Sequence, residues 1–189
     1  MLMVTLIFST VLSLVAPTTP PDPIVEFAVK NCKHVSESRY NEAYEVAVIL
    51  YSVESQYDVP PELKGMILAA ACVESGFNPR AKGDRKFSKS GKKPMAIGVL
   101  QLWRYYEKAY GTDRTDPKSS AEAWMKHIAK MIPKVKKQCK YKTPKKIWVA
   151  AWVTGIRYKK PGGRCRERPR HLRHLRKMRK LYNDTRSKL

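Results

Sequence analysis

The sequence predicts an all-α fold with at most minimal β structure, and three observations carry that expectation. Apolar residues recur at helical spacing in several separate segments, no alternating strand pattern of useful length competes with them, and Pro and Gly stand where helices start and stop. With 189 residues and 43% hydrophobic content the chain can bury one sizeable core, so a single domain over 36–160 with an appendage at each end is expected.

The first helix is read from Ser38, in SRYNEAYEVAVILYSVESQY, with Tyr44, Ala47, Val48 and Tyr51 on one face and a serine to cap its start. The second is PPELKGMILAAACVES, with Pro61 in its first turn and Gly76 where a left-handed C-cap is needed. Leu63, Met66, Ile67, Ala70, Ala71 and Glu74 share one face of it, and the opposite face, Leu68, Ala69, Cys72 and Val73, is apolar too. A helix apolar all round belongs at the centre of the core. A basic loop, GDRKFSKSGKKP, and the segment MAIGVLQLW follow. A third helix is expected in DPKSSAEAWMKHIAKMI, capped by Asp116 or Ser119, and a fourth in TPKKIWVAAWVTG, with Thr143 as cap, Pro144 in the first turn and Gly155 as terminator.

Residues 1–16, MLMVTLIFSTVLSLVA, carry no charged side chain and are too few to span a bilayer, and PTTPPDP follows them. They read as an export signal, with Leu14-Val15-Ala16 as a cleavage region, or as an N-terminal anchor. Residues 17–35 are expected to be a linker. At the other end, 161–189 form a basic tail expected to be helical in part. From Arg157 onward there are 14 Lys and Arg against Glu167 and Asp184. Within the tail Leu172, Leu175, Met178 and Leu181 recur every third residue, a stripe suited to docking on the domain while the arginines stay in solvent.

A net charge of +22 draws the surface to polyanions: nucleic acid, anionic lipid or an anionic wall polymer. The charge alone does not choose among them. Four cysteines, Cys32, Cys72, Cys139 and Cys165, fit an oxidising destination and allow three pairings. Cys139 and Cys165 flank one helical segment and make the expected disulfide, while Cys72, mid-helix among Ala and Val, reads as a buried free thiol. No CxxC pair and no zinc-type histidine spacing occurs, so neither metal nor cofactor is expected.

One residue fits none of this. Glu74 ends the most apolar helix, where burial disfavours its charge and the helix dipole opposes it. The order Glu74-Ser75-Gly76-Phe77-Asn78-Pro79-x-Ala81-x-Gly83, followed by Ala96-Ile97-Gly98-Val99-Leu100-Gln101-Leu102, resembles the lysozyme-like soluble lytic transglycosylase (SLT) domain family. That family carries an ES-x-x-NP-x-A segment and then a GLMQ-like segment. The resemblance covers about 40–160, and WVAAWVTG falls where the family carries its AYN-x-G segment.

The resemblance implies a lysozyme-like catalytic domain in which Glu74 is the single catalytic acid. A carboxyl in an apolar setting holds its proton nearer neutral pH. The implied reaction breaks the β-1,4 bond between N-acetylmuramic acid and N-acetylglucosamine in peptidoglycan and leaves a 1,6-anhydromuramoyl end. The implied setting is the periplasm, envelope or exterior. The implied partner is the glycan strand, with electrostatic contact to anionic wall or membrane and no specific nucleic acid, and the protein acts as a monomer. Two-carboxylate glycosidases need a second acid about 5–9.5 Å from the first. Asp84 and Glu107 are the nearest downstream, and Asp84 keeps a goose-type-lysozyme-like hydrolase open.

Around Glu74 the candidate substrate-binding residues are Ser75, Gln101, Trp152 and Tyr105. Ser75 reads equally as a helix-end hydrogen-bond acceptor beside an Asn-Pro turn. Gln101, an amide between two leucines, is costly to bury without partners and points to the cleft. Trp152-Val153 replace the family's Tyr-Asn, and Trp152 reads equally as a core aromatic. Tyr105, Tyr106 and Tyr158 are the alternative sources of the lost hydroxyl. A non-catalytic basic binder of nucleic acid would need neither leader, cysteines nor this two-block motif, and an inactive wall-binding module descended from such an enzyme is the other alternative.

Overall fold

A computed structural model describes residues 22–84, 94–139, 141–153 and 170–186. Its helices are α1 (Pro23–Lys30), α2 (Tyr40–Glu54), α3 (Met66–Ser75), α4 (Arg104–Tyr110), α5 (Pro117–Cys139), α6 (Pro144–Val153) and α7 (Arg170–Arg186). Three two-residue strands, β1 (Lys82–Gly83), β2 (Ala96–Ile97) and β3 (Leu102–Trp103), form an antiparallel sheet in that order. Lys82 pairs with Ile97, and Ile97 with Leu102. The mostly helical fold with minimal β structure is as the sequence predicts. The export leader, 1–16, lies outside the described residues, and no described helix is long and apolar enough to cross a membrane.

α3 is the axis. Every residue from Met66 to Cys72 is buried, and α1, α2 and α7 pack around it. Its C-terminus closes on Gly76 at φ 60°, where a side chain would also run into the His34 carbonyl oxygen. Its N-terminus is later than the sequence suggests. Pro61–Leu63 form a single 3₁₀ turn, and Gly65 at φ 84° separates that turn from the helix, which starts at Met66. α5 packs on α2 and α6 and extends past the expected stretch, through Pro133 to Cys139. Asp116 is its cap: the Asp116 carboxylate accepts from Ser119 N–H at 2.6 Å. The expected terminator of α6, Gly155, is outside the described residues.

The stretch expected as a linker holds a helix. Asp22 caps α1 by accepting from Ile24 N–H at 3.0 Å, Pro23 occupies its first position, and Ile24, Val25, Ala28 and Val29 are buried. Eight residues behind a proline-rich run offer only two turns of periodicity, too few to stand out. The basic tail docks as its stripe predicts: Leu172, Leu175 and Met178 of α7 are buried, and α7 lies against α3 and α1. Arg179 fixes it further, its Nη1 donating to the Pro61 and Lys64 carbonyls at 2.5 and 3.2 Å.

Cys72 is not a free thiol. It is bonded to Cys32, just beyond α1, across a sequence separation of 40 and a Cα–Cα distance of 5.8 Å. An apolar helical setting looks the same for a thiol and a half-cystine, and only the fold brings Cys32 to it. Cys139 is disulfide-bonded, while Cys165, its expected partner, lies outside the described residues. Closing a loop of 40 residues stabilises a fold by about 4 kcal/mol through the unfolded chain. Urea unfolding of a Cys32→Ala/Cys72→Ala variant under non-reducing conditions is expected to show a loss of that order. Coincident midpoints would show that the bond contributes nothing.

Candidate active site

Glu74 is the penultimate residue of α3 and half-buried, on the last turn before the chain reverses at Gly76. The next residue ties that turn to the opposite wall. Ser75 Oγ donates to the Val99 carbonyl at 2.7 Å, with the Ala71 carbonyl at 3.2 Å, and accepts from Asn78 N–H at 3.1 Å. Asn78 in turn accepts from Arg80 N–H at 2.9 Å, closing the turn that Pro79 stiffens. Both motif blocks, 24 residues apart at Ser75 and Val99, therefore meet beside Glu74.

The glutamine segment is folded tightly. Gln101, at φ 48°, donates through Nε2 to the Ala81 carbonyl at 3.1 Å and the Gly98 carbonyl at 2.9 Å. Both amide hydrogens are thus directed at backbone, and they lock the start of β1 to the turn before β3. Gly98, at φ 82°, lies so close to the Arg114 carbonyl that a Cβ would overlap it. Arg114, only 7% exposed, donates from Nη1 to the Met95 and Leu102 carbonyls at 3.0 and 2.9 Å and from Nε to Glu107 at 2.7 Å. Sequence reading missed Arg114. A single arginine in the short loop GTDRTDP carries no period, and its role shows only where three separate segments converge on it.

The other acids near the motif have partners of their own. Glu107 pairs with Arg114 and, at 3.8 Å, with Arg104. Asp84, in the left-handed region at φ 54°, accepts from the Trp103 indole N–H at 3.1 Å. Tyr105, at the start of α4, is 46% exposed and stands edge-on to Tyr106, Tyr110 and His127. Burial pushes the Tyr106 phenol above its ordinary pKa. Trp152 lies inside the α5–α6 packing, 7% exposed and edge-on to Trp124 with ring centroids 5.9 Å apart. Tyr158 is outside the described residues. Among the described residues no group of three or more His, Cys, Asp or Glu is arranged to hold a metal.

A second carboxylate that sequence reading missed sits at the other end of α3. Glu54 is 2% exposed and accepts from Gly65 N–H at 2.5 Å and Ile67 N–H at 2.8 Å, satisfying donors at the start of the helix that carries Glu74. Burial pushes its carboxyl up to about 7, outweighing the two backbone hydrogen bonds and the more distant Arg179 and Lys64 charges that pull it down.

The family model described as Transglycosylase SLT domain matches residues 48–152, just over half of the chain. The matched stretch runs from within α2 to Trp152 and contains Glu54, Glu74, Gln101 and Arg114, but not α1, Cys32 or α7. No curated protein and no solved structure matches the chain.

Because the Glu54 carboxyl is raised from its ordinary 4.5 to about 7 in the fold, its ionisation opposes folding. Stability from this group is greatest below about pH 4.5, falls as pH rises toward 7 and is level above that, a decline of up to about 3 kcal/mol. Glu54→Gln keeps one acceptor but turns an NH₂ toward the second backbone donor, so at pH 5 it should be less stable by about 1–3 kcal/mol. Urea midpoints measured from pH 5 to 8 should slope for the wild type and stay flat for the variant. Parallel profiles would remove the assignment.

Proposed function

The chain belongs to the SLT transglycosylase domain family, whose members cleave glycan strands of peptidoglycan, and from that premise we propose that it is a peptidoglycan lytic transglycosylase with Glu74 as its single acid and base. The observation that carries this reading is the Ser75–Val99 hydrogen bond, which joins the two motif blocks at the residue next to Glu74. The substrate bond is the β-1,4 link from N-acetylmuramic acid to N-acetylglucosamine. The Glu74 carboxyl gives its proton to the glycosidic oxygen as the bond to C1 breaks, and N-acetylglucosamine leaves with a hydroxyl. The carboxylate then takes the proton of the muramoyl 6-hydroxyl, whose oxygen closes on C1. No water is consumed and Glu74 is again protonated.

That route needs no second carboxylate, which accords with the partners Asp84 and Glu107 already hold. The substrate's own acetamido group stabilises C1. Ser75 and Gln101 hold the two motif blocks in place beside Glu74 through their hydrogen bonds to backbone. Tyr105 offers an exposed aromatic face for a sugar ring. Trp152 supports the site from within the α5–α6 core. The setting is the periplasm or envelope after export, and the net charge of +22 holds the protein to anionic wall. One observation favours a goose-type-lysozyme-like hydrolysis as second reading. Asp84 is held at positive φ, a backbone strain that collects at functional sites.

Glu74→Gln nearly matches the carboxyl in shape but has no proton to give, so release of soluble muropeptides from purified sacculi should fall by at least about 10² to 10⁴ with an unchanged urea midpoint. Near-normal release would overturn the role of Glu74. Mass spectrometry of the wild-type products separates the two readings. Ends in 1,6-anhydromuramic acid support transglycosylation, whereas reducing ends, lost in Asp84→Asn, support hydrolysis.

A further inference from the structure

α1, the turn after it and α7 lie outside the matched stretch, and with α3 they enclose a cavity of about 440 Å³, within the range of about 300–1,000 Å³ usual for small-ligand sites. Its lining divides into two chemical sets. Ala28 of α1, Val73 of α3 and Met178 of α7 make an apolar floor, with Ala28 and Met178 buried and Val73 half-buried. Lys33, from the turn after α1, and Arg173 and Lys177, from α7, make a cationic rim, and all three are exposed. Among the described residues no carboxylate lines the cavity or forms a salt bridge with these cations. Arg173, Lys177 and the exposed Lys180 follow at four- and three-residue spacing, so they share one face of α7, where like charges repel. Two separate elements thus gather uncompensated positive charge around an apolar hollow.

The two sets together select the ligand. An inorganic anion would match the rim and leave the floor in water. A single-stranded nucleic acid stacks its bases on aromatic side chains, and among the described residues no Phe, Tyr or Trp lines the cavity. A stable protein partner needs a contact of at least about 1,200 Å², whereas this hollow has the size of a small-molecule site. An anionic amphiphile fits both sets. We propose that the cavity binds one anionic phospholipid of a membrane surface, with its phosphate at Lys33, Arg173 and Lys177 and the upper part of an acyl chain on the Ala28, Val73 and Met178 floor. Lys180 extends the charged face over neighbouring headgroups. Glu74, Gln101 and Tyr105 do not line the cavity, so lipid binding there is independent of the reaction at Glu74.

A net charge of +22 draws the whole surface to anionic lipid, so the test separates the cavity from the charge. The full chain is titrated by calorimetry with dihexanoyl phosphatidylglycerol, kept monomeric. Glycerol phosphate supplies the anionic headgroup without chains, and dihexanoyl phosphatidylcholine supplies the chains without net charge. The anionic lipid is expected to bind the wild type one to one, at least about tenfold more tightly than either of the others. Arg173→Ser/Lys177→Ser removes two rim charges, Val73→Phe fills the floor at unchanged charge, and Lys134→Ser/Lys137→Ser removes two exposed charges from α5. The rim and floor variants should each bind the anionic lipid at least about tenfold more weakly, and the α5 variant should match the wild type. No binding by the wild type would overturn the proposal, as would glycerol phosphate or the zwitterionic lipid binding as tightly as the anionic one. An equal loss in the rim and α5 variants would reduce the effect to diffuse charge, and an unaffected Val73→Phe would remove the floor. A single-stranded oligonucleotide that needs the rim when the lipid does not would assign the face to nucleic acid instead. Should the urea midpoint show a variant to be unfolded, the three ligands compared on the wild type still decide.

Discussion

A carboxylate buried under the start of α3 holds the central helix in place, and the site depends on it. Glu54 takes the Gly65 and Ile67 N–H groups that the helix start leaves without intrahelical partners, where a serine or aspartate beside the helix would ordinarily do so. Gly65, at φ 84°, turns the chain so that both donors point at the same side chain from the end of α2. From there the helix runs through the core with no polar side chain until its last turn, and a rise of about 1.5 Å per residue sets Glu74 about 12 Å from Met66. A small rotation at the capped end would be carried rigidly to the other. Arg179 of α7 binds the carbonyls of the same 61–64 turn, so the tail stiffens the segment that Glu54 caps.

At the far end of α3 the arrangement is reversed, with side chains bonding carbonyls instead of N–H groups. Ser75, Gln101 and Arg114 direct their donors at backbone oxygens of Val99, Ala81, Gly98, Met95 and Leu102. Strands of two residues offer few ladder hydrogen bonds, so the loops around them depend on these side chains for both shape and satisfied polarity. Glu107 neutralises the buried guanidinium that serves two of those carbonyls. Glu54, Asp84 and Glu107 each hold part of the scaffold through bonds of this kind. Around this frame, α1 and α7 lie outside the matched family stretch and pack against α3, and the Cys32–Cys72 bond ties the segment after α1 to a residue within that stretch.

The sequence by itself determined what neighbouring residues can settle. The period of MILAAAC made α3 a helix apolar all round, Gly76 ended it in the left-handed region, Asp116 could cap α5, and the spacing of Leu172, Leu175 and Met178 gave α7 a face to bury. It also set Glu74 at the end of that apolar helix, beside a two-block motif specific enough to indicate the family. Each of these rests on contacts within a turn or two, which fixed residue spacing encodes directly. The tertiary structure alone decided the pairing of Cys72 with Cys32, the capping of α3 from Glu54, the convergence of three segments on Arg114 and the burial of Trp152 against Trp124. It also showed that α1 packs where a linker was expected. Such contacts join residues from 7 to 40 positions apart. No local period marks them, because a side chain's partner across the fold depends on how the helices pack and not on its sequence neighbours.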